Sequence, residues 1–258
     1  MASKNSGLLK WLNIIAFVAV ILINGLAGST TLIGGQDTAQ VSDNNFTLIT
    51  PAGYTFAIWG IIYTLLGLFV IYQALPSDKG KTTEKVGWFF ILSCIANICW
   101  IFLWQFEFLA FSVVLMFLLF ASLLKVYLNL GIRKSSISWR ERIAVQAPFS
   151  VYFGWITIAS IANVAAALVS VGWDGFGLSA ETWGILVILI ALLITTLVVI
   201  TRKDVAYGLV IVWALIGISV GQSDIQNISL LTQISAVVVV GVIIITLIFQ
   251  TLKSKPKK

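Results

Sequence analysis

Apolar runs separated by short polar segments repeat along the whole chain of 258 residues. A helix of about 20 apolar residues spans the hydrocarbon layer of a bilayer. Eight such helices are predicted, over residues 11–28, 54–75, 86–105, 108–130, 143–171, 181–201, 205–221 and 230–252. The longest polar break, residues 29–50, is too short to be a soluble domain. The pattern therefore predicts an all-α fold, a polytopic membrane helix bundle. Composition agrees. The chain is 59% apolar and 10% charged, with a mean hydropathy of +1.03, whereas soluble domains carry about 25% charged residues.

The cations add an orientation. Lys4 and Lys10 precede the first run. Lys79, Lys81 and Lys85 follow the second; Lys125, Arg133, Lys134, Arg140 and Arg142 lie around the fourth break; Arg202 and Lys203 lie in the sixth; Lys253, Lys255, Lys257 and Lys258 end the chain. The remaining breaks hold Asp37, Asp43, Glu107, Asp174, Glu181 and Asp224, with no Lys or Arg. Basic residues stay on the cytoplasmic side. All 16 fit eight spans with both termini cytoplasmic, and a plasma membrane is the expected location. Lys4 and Lys10 before an apolar core, with Gly25-Leu26-Ala27 after it, resemble a signal peptide. A retained first helix is expected; cleavage would leave seven spans. A retinal-binding reading of seven spans lacks its lysine, since Lys203 and Lys253 sit at helix ends.

The net charge of +6 is thus a topology signal. Nucleic-acid binding is excluded, because no soluble face gathers the cations. The chain has no histidine, which removes the usual general base and a usual zinc and haem ligand. Cys94 and Cys99, five apart on one helix, face different directions and cannot bridge. No carboxylate pair lies in the apolar runs, and no serine has a histidine to activate it. Gly34-Gly35 reads as a turn. The protein is not expected to be an enzyme or to carry a cofactor.

Polar groups in hydrocarbon are costly, so their positions inform. Asn24, Asn97, Gln146 and Asn163 lie inside the runs. At about 1.5 Å per residue, Asn24, Asn97, Asn163, Trp59 and Trp100 fall in one slab, roughly 7 to 12 Å below the outer surface. Amides can simply join helices by hydrogen bonds. Tryptophans can form interfacial belts, as expected for Trp11, Trp88, Trp104, Trp173 and Trp183. Trp59, Trp100, Trp155 and Trp213 are too deep for a belt and are read as core or pocket wall. Convergent polar groups in an apolar pocket are the usual form of a ligand site. Gly60 and Gly67 are expected to admit a close neighbour, which would place the second helix mid-bundle.

Three groups of residues then resemble the translocator protein family, also called tryptophan-rich sensory proteins (TspO/MBR). The second run carries Pro51, Tyr54, Trp59-Gly60-Ile61-Ile62-Tyr63 and Gly67; the third carries Asn97-Ile98-Cys99-Trp100, then Phe102 and Trp104; the fifth carries Pro148, Trp155 and Asn163. The resemblance covers about residues 10–170. It implies a translocator-like five-helix bundle over 1–171 and three additional membrane helices over 172–258. It differs at Ile58 and Ala167, where the family has a proline and a tryptophan, and in the spacing of Pro148 from Trp155.

The resemblance implies a site lined by Asn24, Tyr54, Trp59, Tyr63, Asn97, Trp100, Trp155 and Asn163, with loop 29–50 folded over it. The aromatic rings would stack on a hydrophobic or tetrapyrrole-like ligand, a porphyrin among them, and the amides would donate hydrogen bonds. The output would be sensing or transport rather than turnover. Partners expected are the lipid bilayer, a hydrophobic small molecule and a second copy of the chain in a homodimer. The alternative is a secondary transporter or permease for a small solute, although no pair of broken helices marks an inverted repeat. A third reading makes the last three helices a docking surface, with residues 236–249 facing lipid or a partner.

Overall fold

The computed structural model describes residues 4–78, 80–133 and 137–254. Lys79, Lys134, Lys255, Lys257 and Lys258, used above for orientation, lie outside the described residues. Eight long helices follow one another: α1 (Lys4–Ser29), α2 (Ile58–Ala74), α3 (Trp88–Gln105), α4 (Leu109–Asn129), α5 (Ala147–Ser170), α6 (Ala180–Arg202), α7 (Val205–Gly221) and α8 (Gln226–Ser254). No strand occurs among the described residues. Six helices are long and apolar enough to cross a membrane; residues 89–105 and Val205–Gly221 are apolar and slightly shorter. The protein is an integral membrane helix bundle.

Helix ends differ from hydropathy most where the helix leaves hydrocarbon. α1 starts at Lys4 rather than near residue 11, because backbone hydrogen bonds need no apolar side chain. Residues 53–57 form a 3₁₀ turn leading into α2. Before α5 the chain makes a π-turn, Arg142–Gln146. It relaxes the backbone where the Pro148 ring would otherwise meet the Ala144 carbonyl.

One bundle end carries the loop 29–50, and we call it the loop end. The other carries the basic residues among those described, such as Lys10, Lys85, Arg133, Arg140 and Arg202. α4 packs between α3 and α5, α1 and α2 flank them, and α7 lies against α5. α8 and α6 pack on α7 and on each other. Thus α7 joins the last three helices to the first five. Gly154 permits it, since a Cβ there would sit 3.2 Å from the Tyr207 carbonyl oxygen.

Two corrections concern faces. Gly60 is exposed and has nothing near its Cβ position, and only Gly67 meets a neighbour, the Phe17 ring of α1. α2 is not mid-bundle: Ile61, Leu68 and Ile71 are exposed along its outer face. The small-residue seams are on α5 and α7 instead. α8 turns Ala236, Val239 and Ile243 inward and leaves Val237, Ile244, Ile248 and Phe249 exposed.

The basic end is tied by hydrogen bonds and rings. Phe69, Phe90 and Phe149 meet edge to face at centroid distances of 4.9–5.9 Å. Asp204 is 2% exposed, which sequence reasoning missed. Its Oδ2 accepts from the Tyr127 hydroxyl at 2.9 Å and the Ser150 hydroxyl at 2.7 Å. Its Oδ1 caps α7 by accepting from the Tyr207 amide. Arg133 donates to the Lys203 carbonyl and to Gln250 of α8. Lys85 lies 3.8 Å from Glu141.

Candidate functional site

The loop end is roofed by the segment between α1 and α2. A short helix, Thr38–Asn44, begins at an Asp37 capping box, in which Asp37 accepts from the Ala39 and Gln40 amides and the Gln40 side chain accepts from the Asp37 amide. Trp104 lies under it, 4% exposed, and donates to the Thr38 carbonyl at 3.2 Å. It is a buried roof anchor rather than a belt residue, because a buried indole N–H must find an acceptor. Gln105 donates to the Ala27 carbonyl at 2.9 Å. From α7, Gln222 donates to the carbonyls of Thr47 and Thr50, and Ala52 donates to the Gly217 carbonyl. The roof is therefore fastened to α3 on one side and to α7 on the other.

Beneath the roof lies a cavity of about 40 Å³. Its aromatic wall is Phe56, Trp59, Trp100, Trp104 and Trp155. Asn163 and the small residues Ala159, Ala162 and Ala166 of α5 form another side; Ala214 and Ile218 of α7 close it; Ser42, Ile49, Thr50 and Pro51 cover it. The rings are mutually braced. Trp59 stacks on Tyr63 with centroids 5.6 Å apart, and lies 6.0 Å from Trp100 and from Tyr152. Trp155 meets Trp59 and Phe56 edge-on at 6.1 Å.

Of the eight residues expected at the site, Trp59, Trp100, Trp155 and Asn163 line this cavity. Tyr63, Asn97 and Asn24 form a layer below. Asn24 donates to Asn97 at 2.6 Å, and Asn97 donates to the Tyr152 hydroxyl at 3.1 Å. The Tyr63 hydroxyl is buried close to Asn97. Tyr54 stands apart, 46% exposed and edge-on to Trp213 at 5.5 Å. Trp213 in turn donates to the Thr55 carbonyl at 3.0 Å.

The amides are engaged within the protein. Asn163 accepts from the Trp100 indole at 2.9 Å and donates to Ser112 at 2.8 Å, so it joins α5, α3 and α4. In hydrocarbon an unpaired amide is costly, and each finds a partner on a neighbouring helix. Trp155 differs. It is 3% exposed, and its indole Nε1 has no hydrogen-bond partner among the described residues. Ser112, Tyr152 and the α7 contributions were not legible in advance, since each depends on which helices become neighbours. No group of three metal-ligating side chains occurs among the described residues.

A family model described as TSPO-like protein matches residues 10–249. No curated protein and no solved structure matches significantly. The matched range reaches beyond the 10–170 expected from the tryptophan and asparagine motifs and includes α6, α7 and most of α8, so the chain as a whole belongs to the TSPO-like protein family.

Proposed function

We propose that this membrane protein binds a hydrophobic, planar aromatic molecule at the loop end, for sensing or transport rather than turnover. The observation that carries the reading is the cavity walled by Trp59, Trp100 and Trp155 beneath a fastened polar roof. Indole faces offer a ring-shaped ligand about 0.5–1.5 kcal/mol per good aromatic contact beyond area burial. The buried Trp155 N–H would gain an acceptor on the ligand. Trp59, Trp100 and Trp155 would touch the ligand; Asn163 would fix Trp100; Tyr63, Asn97 and Asn24 would support Trp59 from below; Tyr54 would act at the rim.

The cavity has the volume of roughly three waters, at about 10–15 Å³ each. It is the closed form of such a site. A porphyrin would need Phe56 and the roof to move aside, whereas a one- or two-ring ligand needs a smaller displacement. The test is quenching of tryptophan fluorescence in the purified protein by protoporphyrin and by a naphthoquinone. Saturable quenching that weakens about tenfold in Trp59→Ala and Trp155→Phe is the expected result. Unchanged affinity in both variants would remove this site.

A permease is the second reading, and Asp204 favours it, because a carboxylate proves to be buried between α4, α5 and α7. Its test is uptake of a small solute into proteoliposomes driven by a proton gradient and abolished by Asp204→Asn. The charge pattern supports a cytoplasmic location for both termini, and labelling of single added cysteines in whole cells tests that.

A further inference from the structure

A second cavity, about 20 Å³, adjoins the first and shares Ile49, Ile158, Ala162, Ala214 and Ile218 with it. Its other walls are Ile161 of α5, Val187, Ile188 and Ala191 of α6, and Leu215 of α7. Every lining residue is aliphatic, in contrast to the indole wall next door. The position explains the shape. α5 and α6 scarcely touch each other; α7 lies behind both and floors the gap. Ile158, Ile161, Ala162 and Val187 are only half-buried, so the gap reaches the outer, lipid-facing surface of the bundle.

The roof offers no comparable way out. It is held by Trp104 to Thr38, by Gln222 to Thr47 and Thr50, and by Ala52 to Gly217. The sideways gap is bounded by aliphatic side chains that make no hydrogen bond across it. A polar ligand would gain nothing there, while a flexible hydrocarbon chain that widens this slot of about 20 Å³ meets only small alanines and branched aliphatic side chains.

We infer that the α5–α6 gap is the lateral portal of the tryptophan chamber and that it holds an alkyl chain, so the ligand is a planar ring with a hydrogen-bond acceptor and an aliphatic tail, taken up from the bilayer. This rests on the ring site proposed above and adds the tail, the entry route and a role for α6 and α7. The ring lies among Trp59, Trp100 and Trp155, its acceptor oxygen meets the unpartnered Trp155 N–H, and the tail leaves between Ala191 and Ile161. The bilayer matches the tail in polarity, so the tail adds little affinity in itself. Its presence matters sterically: a tailed ligand needs the gap, and a bare ring does not.

That asymmetry is the test. The full-length protein in lipid nanodiscs is titrated with 2,3-dimethyl-1,4-naphthoquinone and with 2-methyl-3-decyl-1,4-naphthoquinone, reading tryptophan quenching. Two variants obstruct the gap: Ala191→Leu in its buried α6 wall and Val187→Trp at its half-buried mouth. Both are expected to weaken the decyl probe about tenfold or more and to leave the dimethyl probe within about twofold of wild type. Retained dimethyl binding also shows that the variants fold. If the decyl probe binds both variants as it binds wild type, the tail leaves elsewhere and the portal is wrong, while the ring site stands. If the dimethyl probe fails to bind wild type, the ring site itself is wrong and the portal falls with it.

Discussion

The two ends of this bundle are stabilised in different ways. At the basic end, three phenylalanines pack edge to face and Asp204 has all three of its donors in place. At the loop end, five aromatic residues surround unfilled volume, and one indole N–H lacks an acceptor. Filled volume resists rearrangement, and unfilled volume forfeits dispersion contacts that a ligand can restore. The basic end therefore reads as the anchor between the first five helices and the last three, and the loop end as the part free to change. Each substitution below would sharpen that contrast or break it.

The largest effect is expected at the anchor. Asp204→Ala leaves the buried Tyr127 and Ser150 hydroxyls without their acceptor and removes the α7 N-cap. Hydrogen bonds to a charged group contribute about 1.5–3 kcal/mol each, and a cap about 1 kcal/mol, with imperfect additivity. A loss of about 3 kcal/mol is expected, seen as a lower midpoint of thermal unfolding in detergent. Quenching by the dimethyl probe at 20 °C should be unchanged. If quenching falls together with stability, the two ends are one cooperative unit and the contrast fails.

Next comes the fastening of the roof. A Cβ at Gly221 would sit 2.7 Å from the Ala52 amide nitrogen and 2.9 Å from the Thr50 carbonyl oxygen. These are backbone atoms and cannot swing aside. Gly221→Ala is expected to cost about 2 kcal/mol and to push the roof away from α7. Faster hydrogen exchange confined to residues 47–52 would show this. Exchange that rises equally throughout α7 would mean that the joint belongs to the anchor.

Most of the bundle was legible because hydropathy and charge placement report on single helices. Helix number and the shared level of Trp59, Trp100 and Asn163 followed from position along single segments, and the roof over them from the family resemblance. What failed depended on pairs of helices. Gly60 looked like a contact residue and faces outward, whereas Gly154, Gly217 and Gly221 make the close approaches. Trp104 sits at belt depth but turns inward because Thr38 supplies an acceptor. Asp204, next to Arg202 and Lys203, drew no reading from the sequence and is covered by α4 and α5. The division into 1–171 and 172–258 is a reading of the motifs; α7 supplies Ala214 and Ile218 to the cavity wall, so the site draws on both parts.

A smaller effect is expected from the amide that joins the walls. Asn163→Ala leaves the Trp100 indole N–H without its partner. Interhelical hydrogen bonds in membranes average about 0.6 kcal/mol, because the unfolded helices find other partners. About 1 kcal/mol of stability is expected to be lost. The larger consequence is local: Trp100 is no longer held against Trp59, so ring-probe affinity should fall by about threefold to tenfold. Stability lost with affinity intact would show Asn163 to be glue alone.

The smallest effect is expected at the outer rim, where Glu107 ties the roof to the α3–α4 turn. Its carboxylate accepts from Gln36 at 2.7 Å and from Asn44 at 3.4 Å, and Asn44 also donates to Gln36 at 2.8 Å. The Gln36 hydrogen bond, followed by that of Asn44, holds the Glu107 carboxyl below its ordinary value. A depressed carboxylate adds stability above its unfolded-state pKa, about 4.3, and loses it as pH falls through the lower folded-state value. Glu107 is exposed, so water screens the contribution to a few tenths of a kcal/mol at most. Asp43, raised by partial burial and by Asp37, has the opposite sign and offsets part of it. Hydrogen exchange across residues 36–44, corrected for intrinsic rates, should therefore stay flat from pH 7 to about 5 and quicken slightly near pH 3 to 4. Glu107→Gln should remove the acid-dependent rise, since an amide keeps an acceptor oxygen and does not titrate. A rise that persists in Glu107→Gln would assign the acid sensitivity to another carboxylate and detach this rim contact from the control of the roof.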